Sequence, residues 1–302
     1  MSDGPLRGVL CPIVTPLRPD DESLDCDAMS NHLDALVPHL DGLLVLGTSG
    51  EHPWLDHHVE DQVVRLTGEV VGGRCRILVG AGQAGYRPTL KRLDRIATLP
   101  ADYVVITPPT YFPLSDASLA TYFERLADRS PVPLILYNIP QHTTARIPVS
   151  VVQALAGHPN IAGIKDSAGD MTTFVELLKV QTDGFRVLQG RDHMVAESSR
   201  QGCAGVITAL ANLAPRLVRQ VLCTAQAAAG HHRSDLAEDL DRLAAIFHHG
   251  YWLSALKCAV DAAGYQVGRP SSPLPPLTPE QEASVRQIIA VIGERGWLID
   301  RP

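Results

Sequence analysis

No stretch of this chain reaches the roughly 18 consecutive apolar residues that a membrane-spanning helix requires, so none is expected. The opening residues Met1-Ser-Asp-Gly-Pro-Leu-Arg7 lack the apolar centre of a secretory signal. Paired Cys-x-x-Cys motifs are missing too. The six cysteines, at 11, 26, 75, 203, 223 and 258, follow no regular spacing and read as reduced, packed thiols of a cytoplasmic protein. Positive charge is in deficit: 26 Lys and Arg stand against 33 Asp and Glu, a net charge of −7. That balance argues against nucleic acid as a partner, because phosphate contacts need clustered Lys and Arg. A short anionic ligand needs only a local site and stays open.

Further absences narrow the chemistry. No Gly-x-Gly-x-x-Gly turn follows the first apolar run, so dinucleotide binding has no support. No Gly-x-Ser-x-Gly elbow offers a serine nucleophile. The twelve histidines include adjacent pairs at 57/58, 231/232 and 248/249, but none forms His-Glu-x-x-His. Neighbouring helical residues do not share a face, so these pairs read as solvated helix surface and no metal is expected. Solenoid repeats and low-complexity segments are lacking as well.

What remains is an alternation. The chain has 302 residues, 45% apolar and 20% charged, which suits a soluble protein with a sizeable core. Short apolar runs occur at Gly8–Thr15, Gly42–Gly47, Arg76–Gly82, Tyr103–Thr107, Pro133–Asn138, Ile161–Ser167, Phe185–Gly190 and Ala204–Thr208. Helical patterns follow them, for instance Asp56–Val71, Asp116–Ala127 and Met171–Val180. Eight such units predict an α/β fold, a (β/α)₈ TIM barrel, whose strands are buried on both faces. A doubly wound open sheet is the competing architecture. Residues 1–213 are expected to form the barrel and its site, and 214–302 the eighth barrel helix and a C-terminal helical appendix. Within the latter, prolines from Pro270 onward break any helix, making an ordered or flexible turn. Thr278 then caps a last helix opening at Pro279 and running through Gly293.

Sites on parallel barrels lie at the C-terminal ends of strands. There the sixth run delivers Lys165. A lysine buried at such a place must be paired or lose its proton readily, and a neutral amine forms Schiff bases with carbonyl substrates. An exposed strand-end lysine would read the same way. Gly47-Thr-Ser-Gly-Glu51 ends the second run: its hydroxyls and backbone N–H groups can hold a carboxylate without formal charge, or simply make a tight βα turn. The fifth run ends in Tyr137-Asn-Ile-Pro140. A phenol ionises near pH 10, so at that position it serves as a hydrogen-bonded proton relay or merely caps the core. Thr107-Pro-Pro-Thr-Tyr-Phe-Pro113 is a stiff loop suited to a lid or a subunit contact, and Gly190-Arg-Asp192 and Val206-Ile-Thr208 are further rim positions.

Gly47-Thr-Ser-Gly-Glu51, Tyr137-Asn-Ile-Pro140 and Gly163-Ile-Lys-Asp-Ser167, in that order, resemble the motifs of the dihydrodipicolinate synthase/N-acetylneuraminate lyase family of pyruvate-dependent class I aldolases. The likeness runs from about Gly8 through the last helix. It implies Lys165 as the Schiff-base lysine and Tyr137 as the relay tyrosine. Thr48 would belong to the relay and Ser49 would bind the pyruvate carboxylate. Tyr111 resembles the tyrosine lent across a dimer interface to complete the relay, implying a homo-oligomer, a dimer of dimers. Gly190 and Ile207 match positions lining the pyruvate end.

Three departures stand out. The arginine that holds aspartate semialdehyde in the synthases is His142 here, a mostly neutral side chain without a bidentate fork. The first tyrosine of a Tyr-Tyr pair tied to lysine feedback is Thr110. The Asp-Glu pair and serine of the sialic acid lyases become Asp192, His193 and Ala209, leaving one acidic hydroxyl-binding group. The resemblance therefore implies a cytoplasmic lyase, with no metal or organic cofactor, that forms or cleaves a 4-hydroxy-2-oxo acid of the 2-keto-3-deoxy sugar acid type. Pyruvate and an aldehyde are its expected substrates. Asp192 is expected to repel an anionic aldehyde tail, so weak condensation with aspartate semialdehyde follows. The alternatives are dihydrodipicolinate synthase itself, a 2-keto-3-deoxy acid dehydratase, and a non-catalytic ligand-binding barrel.

Overall fold

A computed structural model describes residues 6–227 and 235–300. Its strands are β1 (Gly8–Pro12), β2 (Gly42–Val45), β3 (Arg76–Gly80), β4 (Tyr103–Ile106), β5 (Leu134–Asn138), β6 (Ile161–Asp166), β7 (Arg186–Gln189) and β8 (Gly205–Ile207). Each pairs in parallel with the next, and β1 pairs with β8, so the sheet closes as a barrel in sequence order. All eight apolar runs are strands, and the open-sheet alternative falls. The strands end a residue or more before most of the runs do, because the last apolar residues of each run already belong to the loops at the barrel mouth.

Side chains alternate in and out of the barrel. Leu10, Leu44, Leu78, Val105, Ile135 and Leu188 fill its interior, while Val9, Leu43, Val79, Val104 and Val187 belong to the larger core beneath the surrounding helices. One irregularity matters for function. Pairing slips by a residue between Leu134 and Ile135, whose partners on β6 are Ile161 and Gly163. A slip of one residue turns every later side chain to the other face. Ile161 faces the helices; without the slip Lys165, four residues on, would face them as well. With it, Ile164 points outward and Lys165 stands opposite Tyr137. Gly163 is required at that place, since a Cβ there would lie 2.2 Å from the Arg186 carbonyl oxygen.

Beyond β8 the described residues contain helices and no strand: Pro215–Ala227, Asp235–Ala244, Trp252–Ala263 and Pro279–Glu294. The last opens as the sequence predicts. Thr278 accepts from the Gln281 N–H and Gln281 reaches back to Thr278, a capping box with Pro279 at the first helical position. The proline-rich turn before it is ordered. It is tied to the barrel by Ser271, whose N–H and hydroxyl both donate to Glu51 Oε2. Among the described residues no helix is long and apolar enough to cross a membrane.

Candidate active site

Tyr137 and Lys165 are Cα partners on β5 and β6, at the mouth of the barrel and both inward. Lys165 is 3% exposed, and its Nζ lies 4.1 Å from the centre of the Tyr137 ring. Contact with the aromatic face holds the head group in place at the edge of the cavity. Tyr137 Oη is 3.1 Å from Thr48 Oγ1 in the loop after β2. Lysine, phenol and hydroxyl are thus gathered from three strand ends, the amine over the ring and the phenol bonded to the hydroxyl.

The loop carrying Thr48 and Ser49 is sharply turned. Leu46 and Glu51, flanking it, both adopt left-handed backbone angles (φ 54° and 61°), a conformation non-glycine residues hold only when their surroundings impose it. Glu51 supplies that constraint. It is buried against the ammonium of Lys257 at 2.8 Å, and Lys257 Nζ also donates to the carbonyls of Thr15 and Arg269. The appendix helix Trp252–Ala263 therefore anchors the hydroxyl loop.

A cavity of about 420 Å³ opens above Lys165. Thr48, Ser49, Tyr137, His142, Gly190, Asp192 and Ile207 all line it. Gly190 leaves no room for more than hydrogen: a Cβ would stand 2.0 Å from Ser167 Oγ and 3.0 Å from Lys165 Cε. Asp192 faces the cavity, but its Oδ1 accepts from the Thr208 hydroxyl and, weakly, from the Leu210 N–H. It braces the end of β8 as well as facing the cavity. Burial and the neighbouring Arg191 guanidinium hold the His142 imidazole below its ordinary pKa, so it is neutral at pH 7. Tyr111 is not brought to the cavity of its own chain. It is 88% exposed and packs edge-on against Phe112.

Sequence reasoning passed over several groups. Arg191 lines the cavity, although only its rim position within Gly190-Arg-Asp192 was legible. Ser167 Oγ is buried at the cavity with no hydrogen-bond partner among the described residues. Phe247, His248 and Trp252 close one side of the cavity from the helical appendix, and no motif marked them. The appendix is thus part of the site rather than only packing on the barrel. The His57/His58 pair is exposed, in keeping with helix surface, whereas His248 borders the cavity and the pair at 231/232 lies outside the described residues. Among the described residues no cluster of three His, Cys, Asp or Glu could hold a metal.

An eight-stranded parallel barrel that gathers a buried lysine and a Tyr–Thr pair at its strand ends has the architecture of a barrel enzyme, whose site lies at that face. The model of the dihydrodipicolinate synthetase family matches residues 5–292, and the chain belongs to that family of pyruvate-dependent lyases. An uncharacterized DapA-like lyase of Halobacterium salinarum is 29% identical over 95% of this chain and 94% of its own. A 4-hydroxy-tetrahydrodipicolinate synthase of Xanthomonas campestris is 34% identical over 78% of this chain and 77% of its own. The crystal structure of a chloride-inhibited dihydrodipicolinate synthase from Acinetobacter baumannii, complexed with pyruvate, superposes with a TM-score of 0.89 at 25% identity, covering 95% of this chain and 99% of that one.

Proposed function

We propose that this protein is a class I aldolase that joins pyruvate to an aldehyde, or cleaves the resulting 4-hydroxy-2-oxo acid, through an imine on Lys165. The observation that carries the reading is the placement of Lys165 Nζ over the Tyr137 ring, with the Tyr137 hydroxyl in turn bonded to Thr48. In the condensing direction the amine adds to the pyruvate carbonyl, and loss of water leaves the imine. Its positive nitrogen draws electrons from the adjacent carbons, so a methyl proton leaves and an enamine forms. The enamine carbon attacks the aldehyde carbonyl, the new alkoxide takes a proton, and water releases the product. We assign these proton steps to the Tyr137–Thr48 pair, which lines the cavity beside the lysine. Ser49 and the backbone N–H groups of its loop would hold the pyruvate carboxylate, and Ile207 and Gly190 line the pyruvate end.

Tyr111 enters this scheme from a second copy of the chain. Trp54, Tyr111, Phe112 and Leu114 are the exposed large apolar side chains of the described residues. A second hollow of about 450 Å³, bordered by Trp54 and Thr110, meets the Thr48–Tyr137 pair from that side. We read this face as a dimer contact and the assembly as a dimer of dimers. Sedimentation at micromolar concentration should show no dominant monomer; a fully active monomer would remove Tyr111 from the relay.

A second reading, dihydrodipicolinate synthase, gains from Arg191, a guanidinium in the cavity where His142 offers none. The name of the Xanthomonas relative points the same way. Borohydride reduction in the presence of pyruvate tests the shared step. It should attach one reduced pyruvyl group at Lys165. A protein that gave no adduct, or one at exposed Lys179 or fully bonded Lys257, would not be an imine-forming lyase.

A further inference from the structure

The charge at the cavity mouth differs from what His142 and Asp192 alone imply. Arg191 directly follows the glycine that rests on Lys165, and it lines the same cavity. Its side chain crosses from β7 toward the loop after β6, where its Nε lies 3.6 Å from the position a Cβ would take on Gly169. Gln141 braces that loop, donating to the carbonyls of Ser167 and Ala168 at 2.9 and 3.0 Å. Arg191 Nε is buried and has no hydrogen-bond partner among the described residues. The adjacent carboxylate, Asp192, already accepts from Thr208 and Leu210. The Arg191 side chain itself borders the cavity, so an anion bound there would give its guanidinium a charge-assisted partner.

Building on the aldolase reading, we infer that Arg191 is the specificity-determining residue for the second substrate, and that this substrate is an aldehyde, or a 4-hydroxy-2-oxo acid, whose far end carries an anionic group. A planar guanidinium pairs with two oxygens of one carboxylate or phosphate at once. Neutral His142, beside it, donates or accepts one hydrogen bond and suits the hydroxyl between the two ends of the substrate. The expectation that the mouth repels an anionic tail is thereby reversed. The product of the condensing reaction would carry charge at both ends, held by the Ser49 loop at one and Arg191 at the other.

Wild-type enzyme is assayed with pyruvate and three short aldehydes of similar length, ending in a hydroxymethyl, a carboxylate or a phosphate. At least one anionic aldehyde should exceed the neutral one in kcat/KM by roughly ten- to a hundredfold, the range of a charge-assisted hydrogen bond. The arm that wins identifies carboxylate or phosphate as the tail. Arg191→Gln should lower that ratio by a similar factor, chiefly through KM, and Arg191→Lys should restore part of it. A wild-type enzyme that prefers the neutral aldehyde, or a ratio unmoved in Arg191→Gln, overturns the inference. Borohydride trapping on the wild type separates the two levels. No Lys165 adduct defeats the aldolase reading itself, whereas an adduct with an unmoved ratio defeats only the role of Arg191.

Discussion

Replacing Lys257 with methionine keeps the aliphatic stem and removes the ammonium that holds the hydroxyl loop from below. Lys257 and Glu51 have wholly buried side chains, 2.8 Å apart. All three directions of the ammonium are used, by Glu51 and the carbonyls of Thr15 and Arg269. Burial still holds the Lys257 ammonium below its ordinary pKa, with Glu51 acting against that shift, so desolvation outweighs the attraction of its partner. Such a pair adds little net stability, yet breaking it from one side is costly, about 3–5 kcal/mol, because the other charge stays buried alone. In Lys257→Met the Glu51 carboxylate keeps only Ser271 as a donor, and two carbonyls lose theirs. A loss of that size corresponds to a fall of roughly 5–8 °C in melting temperature for a chain of this length. The double variant Lys257→Met/Glu51→Gln removes the stranded charge while keeping an acceptor for Ser271, and should recover more than half of the lost stability. Activity should not recover in parallel, because the left-handed turns at Leu46 and Glu51 are no longer imposed and Thr48 drifts from Tyr137. Urea unfolding at fixed protein concentration, alongside turnover, reads both quantities. A single variant within about 1 kcal/mol of wild type would refute the reasoning, as would a double variant less stable than the single.

Gly190→Ala places a methyl 2.0 Å from Ser167 Oγ and 3.0 Å from Lys165 Cε; overpacking of this kind costs about 1–3 kcal/mol, and a displaced lysine should slow borohydride trapping by roughly a hundredfold. Unchanged trapping would show that the lysine does not rest on this glycine. Tyr137→Phe keeps the ring over Lys165 and removes the relay hydroxyl, so turnover should fall by about 10²–10⁴ while the pyruvate adduct still forms, more slowly, as mass spectrometry would reveal. Asp166 is held up to about 6 by burial, against the hydrogen bond from Asn138. Because its folded pKa lies above the unfolded one, its contribution is fully present below about pH 4 and is lost as pH rises through 6. The stability of wild type minus Asp166→Asn should therefore drop by about 2–3 kcal/mol between pH 4 and 7; a difference flat with pH would place Asp166 in an ordinary solvated setting.

Much of this protein was decided by local rules that a sequence displays. Parallel strands buried on both faces must be apolar throughout, so all eight could be read as runs. Thr48, Tyr137 and Lys165 sit at the ends of those runs, where a closed barrel always gathers its loops. Thr278 and Pro279 announced the last helix because a cap needs only its own first turn. Other features depend on neighbours distant in the chain. The inward direction of Lys165 rests on the one-residue slip against β5, and simple alternation along Ile161–Asp166 gives the opposite face. Arg191 looked like any rim residue until the loop after β6 showed where its side chain lies. Trp252 and Phe247 reach the cavity because the appendix packs on the barrel core and is tied by Lys257 and Ser271 to Glu51, some two hundred residues earlier. Periodicity and capping act over a few residues and are written locally. The direction of a side chain at a strand end, and the wall it faces, follow from register and packing among segments that meet only in the folded barrel.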